Sequence, residues 1–233
     1  MNIFAIADLH LSFMVDKPMH VFGTNWTDHA KRIETAWKSK VTNEDIVLVP
    51  GDISWALRLN EALLDLKWLD ELPGHKVCIR GNHDYWWDRP TKLNKAYEHI
   101  TFLQNDAYMM NDLAICGTRG WEIIPADGAD MIEHQRMIKR ELMRLELSLK
   151  AAVNKGANRI WVMIHYPPML DQELFLPFIA LFKAYGVEKV IYGHLHDEIS
   201  WQNACRGKKD GITYYLTSAD YLDFKPLLIE QID

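Results

Sequence analysis

Six short apolar runs punctuated by Gly, Pro or Asp constrain this chain more than any other feature: Ile3–Ala7, Ile46–Pro50, Lys76–Arg80, Asp112–Cys116, Ile160–Ile164 and Val187–Tyr192. Each has the length and composition of a buried strand. Helical stretches are expected between them at Asp28–Lys40, Asn60–Leu72, Asp130–Asn154 and Gln172–Ala184. In the third, Ile138, Leu142, Leu145, Leu149 and Ala152 form one apolar stripe, ending at a Lys155-Gly156 cap. The same spacing would serve a coiled-coil seam. It covers fewer than three heptads, so an outer-layer helix is expected over a dimer arm. Strands alternating with helices favour right-handed crossovers and parallel pairing. From Glu198 to Ile232 the pattern changes to short strands with turns, with Arg206–Gly211 read as a hairpin loop before Ile212–Leu216. The expected fold class is α/β with a mixed sheet, or two sheets between helical layers.

The 233 residues fit one domain, 1–233, without linker or repeat; single α/β domains run to about 200–250 residues. An apolar share of 48% and a charged share of 25% exclude disordered and fibrous classes. A net charge of −6 disfavours a protein whose affinity comes from neutralising a phosphate backbone, so no extended nucleic acid is expected as partner. Cys78, Cys116 and Cys205 are odd in number and lack Cys-x-x-Cys spacing, which points away from disulfides and thiolate zinc sites. There is no basic leader and no apolar run near the ~20 residues of a membrane helix. A cytoplasmic protein without a membrane partner is the expectation.

The chemistry lies at the strand ends. Asp8-Leu9-His10 follows the first strand, Gly51-Asp52 the second, Gly81-Asn82-His83-Asp84 the third, His165 the fifth and Gly193-His194-Leu195-His196 the sixth. Open α/β sheets bind ligands at their strands' carboxyl ends. If the local backbone is extended, the outer residues of Asp-x-His and His-x-His face the same way. Any one piece is commonplace: Gly-Asp is usually a turn, and a lone histidine beside proline is more often structural. Five pieces that all track strand ends are not explained by chance.

In these motifs the sequence resembles the calcineurin-like metallophosphoesterases, whose series is Asp-x-His, Gly-Asp, Gly-Asn-His-(Asp/Glu), His and Gly-His-x-His. The match runs from residue 8 to residue 196. The resemblance implies a four-layer α/β sandwich of two mixed β-sheets flanked by helices, with two divalent metal ions at the sheet edge. Asp8, His10, Asp52 and His196 would hold the first ion, and Asp52, Asn82, His165 and His194 the second, with Asp52 bridging. His83 corresponds to the catalytic histidine. Oxygen and nitrogen ligands suit Mn, Fe, Zn or Ni without selecting one. Two divalent ions outweigh the Asp8 and Asp52 charges, so a small phosphoester is the expected substrate. A metal-bridging hydroxide would attack in line, and His83 as general acid would protonate the leaving group.

The chain departs from the family's protein phosphatases, which continue the second motif as Gly-Asp-x-Val-Asp-Arg-Gly. Here the segment reads Gly51-Asp52-Ile53-Ser54-Trp55-Ala56-Leu57, which removes the reason to expect phosphoprotein substrates. Asp84 would either orient His83 or act as a structural cap. Arg80, Arg119 and His20 are candidate phosphate or substrate contacts, against salt bridges for the arginines and plain loop exposure for His20. Tyr85-Trp86-Trp87, directly after the third motif, is expected to pack, against stacking on a base or ring. Leu11–Trp26, a long connection after the first motif, is a candidate lid. The competing functions are a nuclease and a non-catalytic scaffold. The first lacks a long basic track, and the second would be expected to have lost ligands that are all present here.

Overall fold

The computed structural model describes the chain except residues 124, 126, 127, 171, 172, 175 and 233. The first half carries β1 (Asn2–Ala5), α1 (His29–Lys40), β2 (Ile46–Val49), α2 (Leu63–Glu71), β3 (His75–Cys78), α3 (Pro90–Leu93) and β4 (Ile100–Phe102). There follow β5 (Tyr108–Met110), β6 (Leu113–Thr118), α4 (Met131–Asn154), β7 (Arg159–Ile164), β8 (Met169–Leu170), β9 (Glu173–Leu174) and α5 (Leu176–Ala184). The chain closes with β10 (Val187–Tyr192), α6 (Glu198–Asn203), β11 (Gly207–Lys209), β12 (Ile212–Leu216) and β13 (Leu227–Gln231).

Two mixed sheets result, in the orders β13-β1-β2-β3-β4 and β11-β12-β10-β7-β6-β5. The strands read from apolar runs pair parallel, as crossover connections demand, and β13, β11 and β5 add antiparallel edges. Three apolar clusters mark three interfaces between layers. Alternate residues of the central strands, among them Ile3, Leu48, Val77, Ile115, Met163 and Ile191, meet between the sheets. The opposite faces carry Phe4, Val47 and Cys78 toward Trp37, Leu66 and Leu69 of α1 and α2. On the second sheet Cys116, Val162 and Tyr192 meet Leu145 and Leu149 of α4 and Phe182 of α5. Strands buried on both faces explain why the central runs are continuously apolar rather than alternating.

Helix α4 starts where Asp130 accepts the backbone N–H groups of Ile132 and Glu133, a helix-starting cap. Its stripe lies against β6, with Leu145, Leu149 and Ala152 fully buried, so the helix is an outer-layer element. The expected start of α5 at Gln172 lies outside the described residues. Two expectations about the final third need correction. Residues Glu198–Asn203 form a helix, capped by the Asp197 carboxylate on the Ser200 N–H. Within Arg206–Gly211, Gly207–Lys209 form strand β11, paired antiparallel with β12. Its turn is only Asp210-Gly211, both at positive φ (52° and 86°), the backbone of a tight two-residue hairpin.

Candidate metal centre and active site

Loops leaving β1, β2, β3, β7 and β10 carry the motif residues to one edge of the two sheets, and these loops are tied together by backbone. Asp8 N–H donates to Gly51 O at 3.0 Å and His10 N–H to Asp52 O at 3.0 Å. Asp8 (φ 58°), His10 (46°), Asp52 (53°) and His194 (74°) all sit in the left-handed region. The two residues flanking Leu9 therefore converge by kinks rather than by the extended alternation expected from sequence. Such conformations cost about 1–3 kcal/mol each and persist where surrounding structure enforces them. Proximity requires glycine where these loops meet: a Cβ on Gly81 would collide with Asp52, one on Gly193 with Asp8, and one on Gly51 with the Gly81 backbone.

Asp8, His10 and His196 bring ligand atoms within 4.8 Å of one another, and so do Asp8, Asp52 and His165. Asp52 Oδ2 lies 3.9 Å from His10 Nε2 and 3.4 Å from His165 Nε2, so it faces both groups. Asn82 Oδ1 is 2.6 Å from His165 Nε2 and 3.0 Å from His194 Nδ1. All seven expected ligand residues thus converge.

The donor arrangement fits metal ions. Asp8 Oδ1 is buried without a hydrogen-bond partner, while Oδ2 accepts the His194 N–H at 2.9 Å. His10 Nε2 and His196 Nε2 stand 3.3 Å apart, two lone-pair bearers aimed at one place. With its Nδ1–H donated to Pro50 O at 2.9 Å, a neutral His165 would turn Nε2 toward two oxygen acceptors. That juxtaposition requires a proton or a cation. Burial favours the neutral ring, but the Asp52 and Asp8 carboxylates outweigh it and push His165 up to about 9. Asp52 is held far below the usual carboxylate range, since His165, His10 and His83 together overcome its burial. Burial, reinforced by His165, brings His194 down to about 3.

Asp220 is the residue that sequence reading missed. Its Oδ1 accepts from His196 Nδ1 at 3.0 Å, fixing which nitrogen faces the site, the role carboxylates play behind metal-bound histidines. Asp220 follows β12 just as the recognised motifs follow their strands, and that position was the available signal. His29, assigned no role from sequence, donates through Nε2 to His10 O at 3.2 Å.

His83 occupies the open side. Its backbone N–H donates to Asp52 Oδ1 at 2.8 Å, and its ring leans on Trp55 with centroids 4.2 Å apart. Burial lowers its pKa, against the pull of Asp52. A cavity of about 310 Å³ opens beside it, with His10, His196, Phe22, Trp26 and Trp55 in its lining. The Leu11–Trp26 segment supplies one wall of this cavity. It is pinned by buried Met19 and Trp26 and by the Phe13 N–H on Asp65 at 2.8 Å.

Asp84, Arg80, Arg119 and His20 all stand outside the lining of the His83 cavity. The Asp84 carboxylate accepts the backbone N–H groups of Asp52, Ile53, Ser54 and Gly81 and the indole of Trp86, at 2.8–3.1 Å. It staples the second motif to the third, which is the structural one of its two expected roles. Arg80 Nε donates to Asp84 O at 2.9 Å. Arg119 approaches buried Glu141 of α4 at 3.8 Å, with Arg140 and Arg144 also on Glu141, and its guanidinium lies over the Trp121 ring at 4.7 Å. His20 is exposed on a 3-10 turn, Met19–Phe22, and Phe22 of that turn lines the cavity instead. Trp86 and Trp87 pack on Phe102, as expected, whereas Tyr85 is exposed.

The family model for calcineurin-like phosphoesterases matches residues 1–198. The chain belongs to that family. Its chemistry is metal-dependent hydrolysis of phosphoric esters, and the Asp/His groups are where metal could be held. A probable cyclic nucleotide phosphodiesterase of Synechococcus is 26% identical over 211 residues, covering 84% of this chain and 73% of the relative. Two solved structures share the fold: a protein of unknown function from Aquifex aeolicus (TM-score 0.52, 15% identity, 97% and 95% coverage) and a Thermus thermophilus protein (TM-score 0.59, 11% identity, 97% and 96% coverage). Among the described residues no helix is long and apolar enough to cross a membrane.

Proposed function

We propose that this member of the family is a dinuclear-metal phosphodiesterase acting on small phosphodiesters. The observation that carries the reading is the position of His83, held by Asp52 beside the metal-ligand cluster and open to a cavity. Asp8, His10, Asp52 and His196 would hold one ion, and Asp52, Asn82, His165 and His194 the other, with Mn, Fe, Zn or Ni compatible with this oxygen and nitrogen donor set. Bound there, two such ions supply an activated water and neutralise charge on the phosphoryl oxygens.

The chain's own residues do the rest. Asp220 and Pro50 O fix the rings of His196 and His165, so that their Nε2 atoms face the centre. His83, anchored through its own backbone, delivers a proton to the departing alkoxide from the cavity side. Asp84 keeps the loops bearing Asp52 and Asn82 in register. A diester is favoured over a dianionic monoester because, among the described residues, no Arg or Lys lines the cavity, Arg80 and Arg119 included. The named activity of the Synechococcus relative supports the same choice.

The test is a turnover screen of the metal-loaded protein on aryl phosphomonoesters, bis-aryl phosphodiesters, cyclic nucleotides and single-stranded DNA. Diesters of small size should be hydrolysed at least tenfold faster than the rest. Preference for DNA would assign a nuclease instead, and inactivity on every ester would return the scaffold reading.

A further inference from the structure

The cavity beside His83 has a shape and polarity that the hydrolytic reading leaves unused. The Trp55 ring lies nearly parallel to His10, with centroids 4.8 Å apart and planes at 19°, and to Phe22, at 6.1 Å and 7°. Trp26 stands across this direction, at 64° to His10 and 63° to His196. The walls therefore carry near-parallel aromatic rings, with Trp26 inclined steeply to His10 at one side. The thioether of Met19 receives the Trp55 indole N–H at 3.0 Å, which fixes the indole orientation.

A hydrogen-bond acceptor narrows the occupant further. Asp197 lines the cavity, and its oxygens already accept the Ser200 N–H and hydroxyl, leaving lone pairs for a further N–H. Lys17 Nζ stands over the Trp55 ring, 5.8 Å from its centroid, at the edge of the cavity. Phe22 lines the cavity and is 65% exposed, so its ring is accessible to a guest. The contact between His83 and Trp55 also bears on position: a group stacked along Trp55 lies on the side from which His83 reaches the leaving oxygen.

We propose that this cavity is the leaving-group subsite and that it takes a flat aryl or heteroaryl ring, stacked parallel to Trp55 and Phe22, on the alcohol side of the ester. The inference rests on the phosphodiesterase reading for its meaning, but not for its test. Offset-stacked rings gain affinity beyond the area they bury, so an aromatic guest should bind about 3- to 10-fold tighter than a saturated one of the same size. A saturated ring or alkyl chain fills volume but cannot match the parallel faces.

The experiment titrates the Mn-loaded protein with three phosphorus-free probes, benzyl alcohol, cyclohexylmethanol and adenosine, by ligand-detected NMR. Benzyl alcohol and adenosine should bind saturably, each at least about 3-fold tighter than cyclohexylmethanol. Tighter adenosine binding would assign a heteroaromatic guest and tighter benzyl alcohol a phenyl one. Phe22→Ala should erase most of the aromatic preference while keeping the wild-type thermal midpoint, since Phe22 is exposed. Equal binding of benzyl alcohol and cyclohexylmethanol, absence of aromatic binding, or full preference in Phe22→Ala would overturn the proposal. Because the probes contain no phosphate, a protein inactive on diesters would still report on the cavity. Loss of ring preference with diester hydrolysis intact would remove this inference alone.

Discussion

His196 donates through Nδ1 to Asp220 Oδ1 at 3.0 Å, and in consequence its Nε2 faces Asp8 Oδ1 at 3.7 Å and His10 Nε2 at 3.3 Å. A residue 24 positions away thus sets which nitrogen the metal centre receives. Asp220→Ala should weaken metal binding by about 10- to 100-fold, with Asp220→Asn closer to wild type because its amide oxygen can still accept. Metal titration of the three proteins checks this, and unchanged affinity in the alanine variant would remove Asp220 from the site.

His83→Ala should lose about 100- to 10,000-fold in turnover on esters with alkyl leaving groups, the contribution of a positioned general acid. Loss on 4-nitrophenyl esters should be much smaller, since that leaving group departs without a proton. Metal content should not change. Equal losses on both ester types would contradict an acid role.

Metal uptake should depend on pH with a definite sign. His165 is raised to about 9, where Asp52 and Asp8 overcome the opposing effect of burial, so the ring is protonated in the metal-free protein near neutrality. Metal takes only the deprotonated nitrogen and must displace that proton. Apparent affinity should rise about tenfold per pH unit from roughly 6.5 to 8.5 and level off above about 9. Calorimetric titrations across that range provide the check; a flat profile would be inconsistent with a protonated His165.

Asp84→Ala would strand four backbone N–H groups and one indole N–H in the interior. Unsatisfied buried donors cost about 1–3 kcal/mol each, though not additively, so a loss of about 3 kcal/mol or more is expected. For a chain of this size that lowers the thermal midpoint by roughly 6–12 °C. A midpoint within about 2 °C of wild type would refute the staple.

What could be read from the sequence was local. Strands such as Ile46–Val49 and Val187–Tyr192 announce themselves because both faces are buried, and ligands announce themselves because they stand at strand ends. The short edges β4, β5 and β13 carry no such signal: Leu227–Gln231 mixes buried and exposed residues, and its place beside β1 is set by the chain's return. Asp220 escaped for a related reason, since the bridge between Ala7 and Ser218 brings the loop after β12 alongside Asp8. Arg80 and Arg119 end strands, where a phosphate ligand could stand, but Arg80 donates to Asp84 O only four residues on and Arg119 lies 3.8 Å from Glu141 on α4, so their surroundings are set by the local turn and by the packing of α4. The parallel rings of Trp55 and Phe22 are likewise a tertiary product, made when the loop after β1 folds over the one after β2.

The central claim is that Asp52 bridges two ions that make this centre hydrolytic. The most direct measurement is metal stoichiometry by mass spectrometry, paired with bis(4-nitrophenyl) phosphate turnover, for wild type, Asp52→Asn and chelator-treated protein. The account predicts two ions per wild-type chain, fewer in Asp52→Asn, and turnover at least 100-fold lower in that variant and after chelation. Two ions and wild-type turnover in Asp52→Asn, or full turnover in metal-free protein, would contradict it.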